Sequence, residues 1–215
     1  MRARLLGLLT LFSGCVDPFD GRDRPPFEPA DPTDRPDAGT RPDPPPRPDA
    51  PRPEAAKRVF VTSLLYPAAF QRTIPAATPH RAADAICQSL SDAAQLRGTF
   101  RAWLSTSTIA AIDHIETNGP WYRLDGELAF SNHVALQAHP QVAISIDERG
   151  EPITGTTLTW TGTAIGGLAS TSTCNDWSAT TDVTSTMGLA SVTNDWTARS
   201  RTSCAGEFHL YCFEQ

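Results

Sequence analysis

Apolar and polar residues follow two different rhythms in the C-terminal three quarters of the chain and none in the first quarter. Arg58 to Leu64 (RVFVTSL) alternates loosely and predicts a first strand. Thr78 followed by Pro79 reads as a helix N-cap with proline at the first helical position. Beyond it Ala83, Ile86, Cys87, Leu90 and Ala94 recur at helical spacing, so Cys87 should face inward, and Gly98 is the expected stop. Thr99 to Ser105 (TFRAWLS) places Phe100, Ala102 and Leu104 on one side and Arg101 and Trp103 on the other, as in a half-buried strand. Ser105, Thr106 and Ser107 are candidate caps for a second helix running through Ile109, Ala110, Ile112 and Ile115. GPWYRLDGELAF then reads as a turn and a short strand, bent at Asp125-Gly126. Thr154 to Thr163 and Phe208 to Phe213 are strand-like, whereas Gly166 to Ser203 is dense in Ser, Thr, Gly and Asn and predicts a long loop region. A loop of that length in a compact domain is functional or cross-linked.

The first quarter has a different organisation. Arg2 and Arg4 precede the apolar run Leu5 to Phe12, which as a helix would span only about 12 Å, too short for a bilayer core. It has the form of an export signal, residues 1–14. Ser13-Gly14 directly before Cys15 resembles a bacterial lipobox, although Phe12 stands where Leu is usual. That resemblance implies cleavage before Cys15 and acylation of its sulfur, hence attachment to a membrane, with Val16 in the next position pointing to the outer membrane. Residues 15–56 hold most of the 19 prolines, with only Phe19 and Phe27 as large apolar side chains. Such a segment buries too little to offset its ordering entropy, so a disordered, partly polyproline stalk is expected. At about 3.1 Å per residue it would reach on the order of 120 Å. One domain, residues 57–215, is left.

Charge narrows the partners. The formal net charge is -6, carried by both parts of the chain without a basic stripe, which disfavours nucleic acid. Apart from Cys15, four cysteines remain: Cys87, Cys174, Cys204 and Cys212. In an exported chain they allow three pairings. Two of these set the helix cysteine beside the loop region. The third nests Cys174 with Cys204 inside Cys87 with Cys212, closing loops worth up to about 4 and about 5 kcal/mol and pinning the irregular region to the helix and sheet.

Arg81 to Ser105 (RAADAICQSLSDAAQLRGTFRAWLS) is similar to the opening helix and strand of endostatin, the C-terminal domain of certain basement-membrane collagens. GELAFSNHVAL (126–136), TWTGT (159–163), Cys174 with Trp177, and SCAGEFHLYCFEQ (203–215) continue the likeness in the same order. Bacterial lipoproteins carry a domain with this pattern. The resemblance covers nearly all of residues 58–215. It implies an α+β, C-type-lectin-like fold of the endostatin type, with two helices, a small mainly antiparallel sheet and a long loop region. It also implies the pairs Cys87–Cys212 and Cys174–Cys204. Endostatin's zinc-binding histidine cluster has no counterpart before Val59, and its basic heparin surface has none in this acidic domain, so neither activity is carried over.

Two stretches, CNDWSATT and TNDWTARS, repeat Asn-Asp-Trp. Asn175, Asp176, Asn194, Asp195 and Trp196 are therefore the candidate ligand-binding residues, with Asn194 and Asp195 the better placed. Sugar-binding C-type lectins hold calcium with an Asn-Asp pair near this part of the fold. The Glu-Pro-Asn partner is missing here, because Glu151-Pro152 is followed by Ile153. No metal site and no cofactor are expected, calcium being the one ion for which the chain offers ligands. Trp103, Trp160 and Trp177 are assigned structural roles, while Trp160, Trp177 and Trp196 would supply stacking faces if exposed. His80, His114, His133, His139 and His209 lack metal-ligand spacing, Asp113-His114 points to adjacent helix faces, and the pairs Asp125 with Glu127 and Asp147 with Glu148 read as solvated turn charges. No catalytic set and no enzyme is predicted. The expectation is a membrane-anchored envelope lipoprotein displaying a binding module for glycan or protein. The rival is a structural or adhesive envelope component, and an enzyme on a lectin-like scaffold ranks last.

Overall fold

Strand β1 (Lys57–Val61) buries Val59, Phe60 and Val61 alike, because the sheet it belongs to is covered on both faces. Successive side chains of a strand point to opposite sides, so Phe60 joins one core cluster and Val59 and Val61 the other. The computed structural model describes residues 56–75 and 78–215. The expected signal, Cys15 and nearly all of the expected stalk lie outside the described residues.

The main sheet has the order β3-β10-β1-β4-β5. Its members are β3 (Phe100–Ala102), β4 (Trp121–Tyr122), β5 (Leu128–Phe130) and β10 (Tyr211–Glu214), with β1 at the centre. β1 runs antiparallel to β10 and parallel to β4; the β10–β3 and β4–β5 pairings are antiparallel. A second sheet joins β6 (Leu158–Trp160), β7 (Thr184–Leu189) and β8 (Ser200–Ser203), all antiparallel. β2 (Tyr66–Pro67) pairs with β9 (Glu207–Phe208). Among the described residues the helical segments are the single turns α1 (Phe70–Thr73) and α3 (Ala111–His114), the long α2 (Pro79–Ala93), short 3-10 stretches at His133–Gln137 and Ile165–Gly167, and a turn at Cys174–Trp177. The fold is thus mixed α and β, with few helices and small sheets.

Helix α2 begins as its sequence predicts, with the Thr78 hydroxyl accepting the Arg81 N–H and Pro79 in the first turn. Ala82, Ala83, Ile86 and Cys87 are its buried stripe, laid on β3 and β10. The bond Cys87–Cys212 fastens this helix to β10, and Cys174–Cys204 fastens the segment before β7 to the end of β8. Both pairs are those that the resemblance implies.

All five tryptophans are buried, and each indole N–H has an acceptor. Trp103 donates to the Thr197 hydroxyl, Trp121 to the Glu214 carbonyl, Trp160 to Tyr66, Trp177 to Ser105 and Trp196 to Ala138. Trp103 and Trp196 pack with ring centroids 4.8 Å apart, and Trp196 also meets Phe130 at 5.0 Å. Gly188 is required where β7 passes this cluster, since a side chain there would overlap the Trp196 carbonyl. Trp103, Trp160 and Trp177, given structural roles from the sequence, are each fully buried. Trp196 corrects the expectation of a ligand-binding residue: at 1 % exposure its ring is core.

Four further expectations need correction. The second helix shrinks to the turn Ala111–His114, with Ala110 and no side-chain cap at its start, because Thr106 and Ser105 fold the preceding residues into a loop of their own. Helix α2 stops at Ala93, before Gly98. The supposed long loop, 166–203, contains the whole of β7 and β8, because its threonines suit strands as well as turns. Asp147 and Glu148 are buried rather than solvated: Asp147 accepts the N–H groups of Arg149 and Glu151, and Glu148 accepts the N–H and hydroxyl of Ser63.

Candidate functional site

The first two turns of α2 bring His80, Arg81 and Asp84 to one edge of the domain, His80 and Asp84 being one turn apart on the same helix face. Across from them stands the segment 105–116. Ser105 starts it: its hydroxyl pairs with that of Thr163 at 2.8 Å and accepts the Ala111 N–H at 2.8 Å. Thr106 continues it by accepting the N–H of Ile109 at 3.1 Å. The loop so formed delivers His114 to α2. Between the two runs a cleft of about 380 Å³, lined by His80, Arg81, Asp84, Arg101, Thr106, Thr108, Ile109, His114, Glu116 and Asp176 among others. That volume is within the range of small-ligand sites.

The imidazoles of His80 and His114 stack inside it, centroids 4.2 Å apart and planes inclined by 30°. His80 Nε2 lies 2.8 Å from the Leu104 carbonyl, and His114 Nε2 lies 3.0 Å from Asp84 Oδ1. Because a carbonyl and a carboxylate only accept, both Nε2 atoms are the donors, and in each neutral ring Nδ1 carries the lone pair. Asp84 Oδ1 also accepts the Ala102 N–H, so the carboxylate that orients His114 is itself anchored on β3. Arg101, from the same strand, donates to the His114 carbonyl at 2.9 Å and pairs with Glu116 at 2.8 Å.

These contacts set the charge states. Burial lowers the His80 pKa from its usual value, and neighbouring His114 lowers it further, against the opposing effects of the Leu104 hydrogen bond, Asp84 and Asp176. The hydrogen bond and charge of Arg101 hold Glu116 below the ordinary carboxylate range. For Asp176, burial pushes upward but is outweighed by hydrogen bonds from the Ser107 hydroxyl and N–H and from Thr173, helped by His80, so its pKa is lowered.

Asp176 reaches the cleft from an unusual backbone. Cys174, Asn175, Asp176 and Trp177 have φ of 52°, 52°, 51° and 59°, one turn of left-handed helix. For residues with a Cβ this conformation costs roughly 1–2 kcal/mol each, least for Asn and Asp. Its neighbours over-determine it: Cys174 is bonded to Cys204, Trp177 is buried against Phe70 and Trp160, and Asp176 holds Ser107 and Thr173. A second, more open hollow of about 530 Å³ lies beyond, lined by Asn175 with Ser107, Thr171, Thr173 and Thr184, and shares Asp176 with the cleft.

Of the sequence candidates, then, Asn175 and Asp176 line concave surface. Asn194 and Asp195 do not line the cleft; Asp195 is paired with Arg199 at 2.5 Å. Sequence reasoning missed His80, Asp84, Arg101, His114 and Glu116. A readable signal was the i, i+4 pair His80 and Asp84 at the start of a helix that its cap, proline and apolar periodicity predict. The approach of His114 was not readable, since its carboxylate partner is Asp84, thirty residues earlier in the chain, rather than adjacent Asp113. Among the described residues no group of three or more His, Cys, Asp or Glu side chains is arranged to hold a metal ion, and no helix is long and apolar enough to cross a membrane. Compared with models of known protein families and with curated proteins, the chain matches none.

Proposed function

We propose that this chain is an exported, membrane-anchored envelope lipoprotein whose Asp- and Pro-rich segment displays a C-type-lectin-like binding module, and that glycan or protein ligands dock in the cleft between α2 and residues 105–116. The observation that carries this reading is the preorganisation of the cleft. Its polar groups come from a capped helix, a strand, a hydroxyl-latched loop and a cross-linked turn, and most are fixed by hydrogen bonds within the domain. Rigid polar groups around a partly apolar hollow favour binding because little ordering entropy is lost on association. Two disulfides fit an oxidising compartment. The lipobox-like Cys15 supports attachment.

The test uses the full chain on glycan and peptide arrays, beside the variants Ile109→Arg and Thr108→Trp. Both positions are exposed on the cleft rim, so these changes fill the cleft without touching the core. Binding lost in both variants, with unchanged circular dichroism, is the expected result. Blank arrays, or variants that bind as well as the parent, would overturn it. Attachment is tested separately by mass analysis of the N-terminal peptide and by release of a Cys15→Ser variant from membranes.

A second reading, an acid–base enzyme, is favoured by the hydrogen-bonded pair Asp84–His114. It requires turnover of a bound ligand that His114→Gln abolishes while binding persists.

A further inference from the structure

We propose that the cleft takes a ligand carrying a primary ammonium group, binding it while His80 and His114 are neutral and releasing it when the imidazole pair takes up a proton. This rests on the cleft being the binding site.

Hydrogen-bonding capacity around the cleft is unbalanced. Arg81 on the rim excepted, the N–H donors of the cleft side chains are spent: both Nε2–H groups on Leu104 and Asp84, and Arg101 on Glu116 and the His114 carbonyl; the neighbouring Ser107 hydroxyl is bonded to Asp176. The acceptors are not. Among the described residues neither Nδ1 has a protein partner, although both rings line the cleft, and His80 is 5 % exposed. Carboxylate oxygens of Asp84, Glu116 and Asp176 retain lone pairs beyond the bonds they accept. A ligand matching this surface donates.

Charge points the same way. The groups facing the imidazoles are Asp84 and Arg81 from α2, Arg101 from β3, Glu116 after α3 and Asp176 from the left-handed turn. With neutral imidazoles the carboxylates outnumber the guanidiniums, so the site is weakly negative. Arg81 stands exposed on the rim, whereas Arg101 is neutralised by Glu116. Protonating one imidazole converts an acceptor nitrogen into a donor and cancels the excess negative charge. The stacked partner resists a second proton, because like charges that close repel. Both changes act against a bound cation, and burial together with the stacked His114 lowers the His80 pKa, so that the His80 ring stays neutral until the medium becomes acidic.

The experiment follows the imidazole carbon and nitrogen resonances of the full chain by NMR while Nα-acetyl-lysine methylamide is added. A lysine ammonium, with its pKa of about 10.4, stays charged throughout, so any pH effect belongs to the protein. Controls are the norleucine analogue, which lacks the charge, and the glutamate analogue, which reverses it. A 2-aminoethyl glucoside arm separates a sugar-borne from a peptide-borne ammonium. The expected result is that an ammonium probe shifts the His80 and His114 signals at about pH 7.5 and binds roughly tenfold more weakly at about pH 5, and that the controls are silent. Arg81→Gln should tighten the ammonium probe. Equal affinity at the two pH values, preference for the glutamate analogue, or silence of both ammonium probes would overturn the proposal. A ligand found on the arrays and lost in the rim variants would then still stand as the cleft's occupant, so the two failures are distinguishable.

Discussion

The carboxylate of Asp176 accepts both the backbone N–H and the hydroxyl of Ser107, at 2.6 and 2.5 Å, across 69 residues of sequence. One side chain thereby ties the left-handed turn 174–177 to the loop that carries His114. Hydrogen bonds to a charged acceptor contribute about 1.5–3 kcal/mol each at favourable sites. Asp176→Asn should therefore destabilise the domain by about 1–3 kcal/mol, and Ser107→Ala by less. A double-mutant cycle in urea is expected to show coupling, because each change removes the same contacts. Additive effects would mean that the two segments are held independently. Since the Asp176 pKa is depressed on folding, its contribution is full above the ordinary carboxylate value of about 3.9 and is lost as pH falls through the folded value.

His80 gives a second, separable acid sensitivity. Its folded pKa is lowered, so as pH falls the unfolded chain takes up the proton first. Stability should be at its full value above the unfolded histidine pKa of about 6.5 and decline below it, towards the folded value. Urea midpoints measured from neutral to mildly acidic pH should show that decline in the parent. A His80→Gln variant, which keeps a donor for the Leu104 carbonyl, should show a flatter profile in the same window.

The two disulfides should differ in what they protect. In the chain-entropy view, the bond closing 125 residues is worth about 5 kcal/mol and the one closing 30 about 4 kcal/mol. Replacing Cys87 and Cys212 by Ala removes the tie between α2 and β10 and should lower global stability most. Replacing Cys174 and Cys204 releases the left-handed turn, whose backbone is the one held against its own preference. There, amide exchange should accelerate first around Asp176 and Ser107, ahead of the main sheet. Peptide mapping of the unreduced chain should recover these two linkages and no others among the four cysteines.

Elements whose stabilising contacts are local were legible in the sequence. Thr78-Pro79 and the stripe through Cys87 predict α2 because cap, proline and periodicity act within a few residues. β3 emerges from Phe100 and Ala102 for the same reason, although Trp103 is buried on the opposite face by Trp196 and Phe213, distant partners that no alternation reveals. The segment Ser105 to Ile115 has the composition of a capped helix, yet its hydroxyls close a loop against Thr163. That tertiary hydrogen bond decides where His114 lies. Half the cleft therefore depends on contacts between segments far apart in the chain, and only its α2 half could be read from spacing. Buried Glu148 was misread for a related reason: the donors that satisfy it belong to Ser63, on another segment.

The second Asn-Asp-Trp stretch offers the sharpest contrast between a surface and a core role within three residues. Asn194 and Asp195 lie outside the core, and Asp195 spends its carboxylate on Arg199, so Asn194→Ala and Asp195→Asn should each change stability by no more than about 0.5 kcal/mol. Neither should alter binding at the cleft, which they do not line. Trp196 is different: its ring fills the space between Trp103, Phe130 and Tyr211, and its N–H is bound to the Ala138 carbonyl. Trp196→Ala should cost about 3–5 kcal/mol, as expected for truncating a buried aromatic. Thermal melts of the three variants with and without millimolar calcium separate the alternatives. A calcium-dependent rise in melting temperature that Asp195→Asn abolishes would place an ion at this turn, whereas the ion pair with Arg199 predicts no such rise.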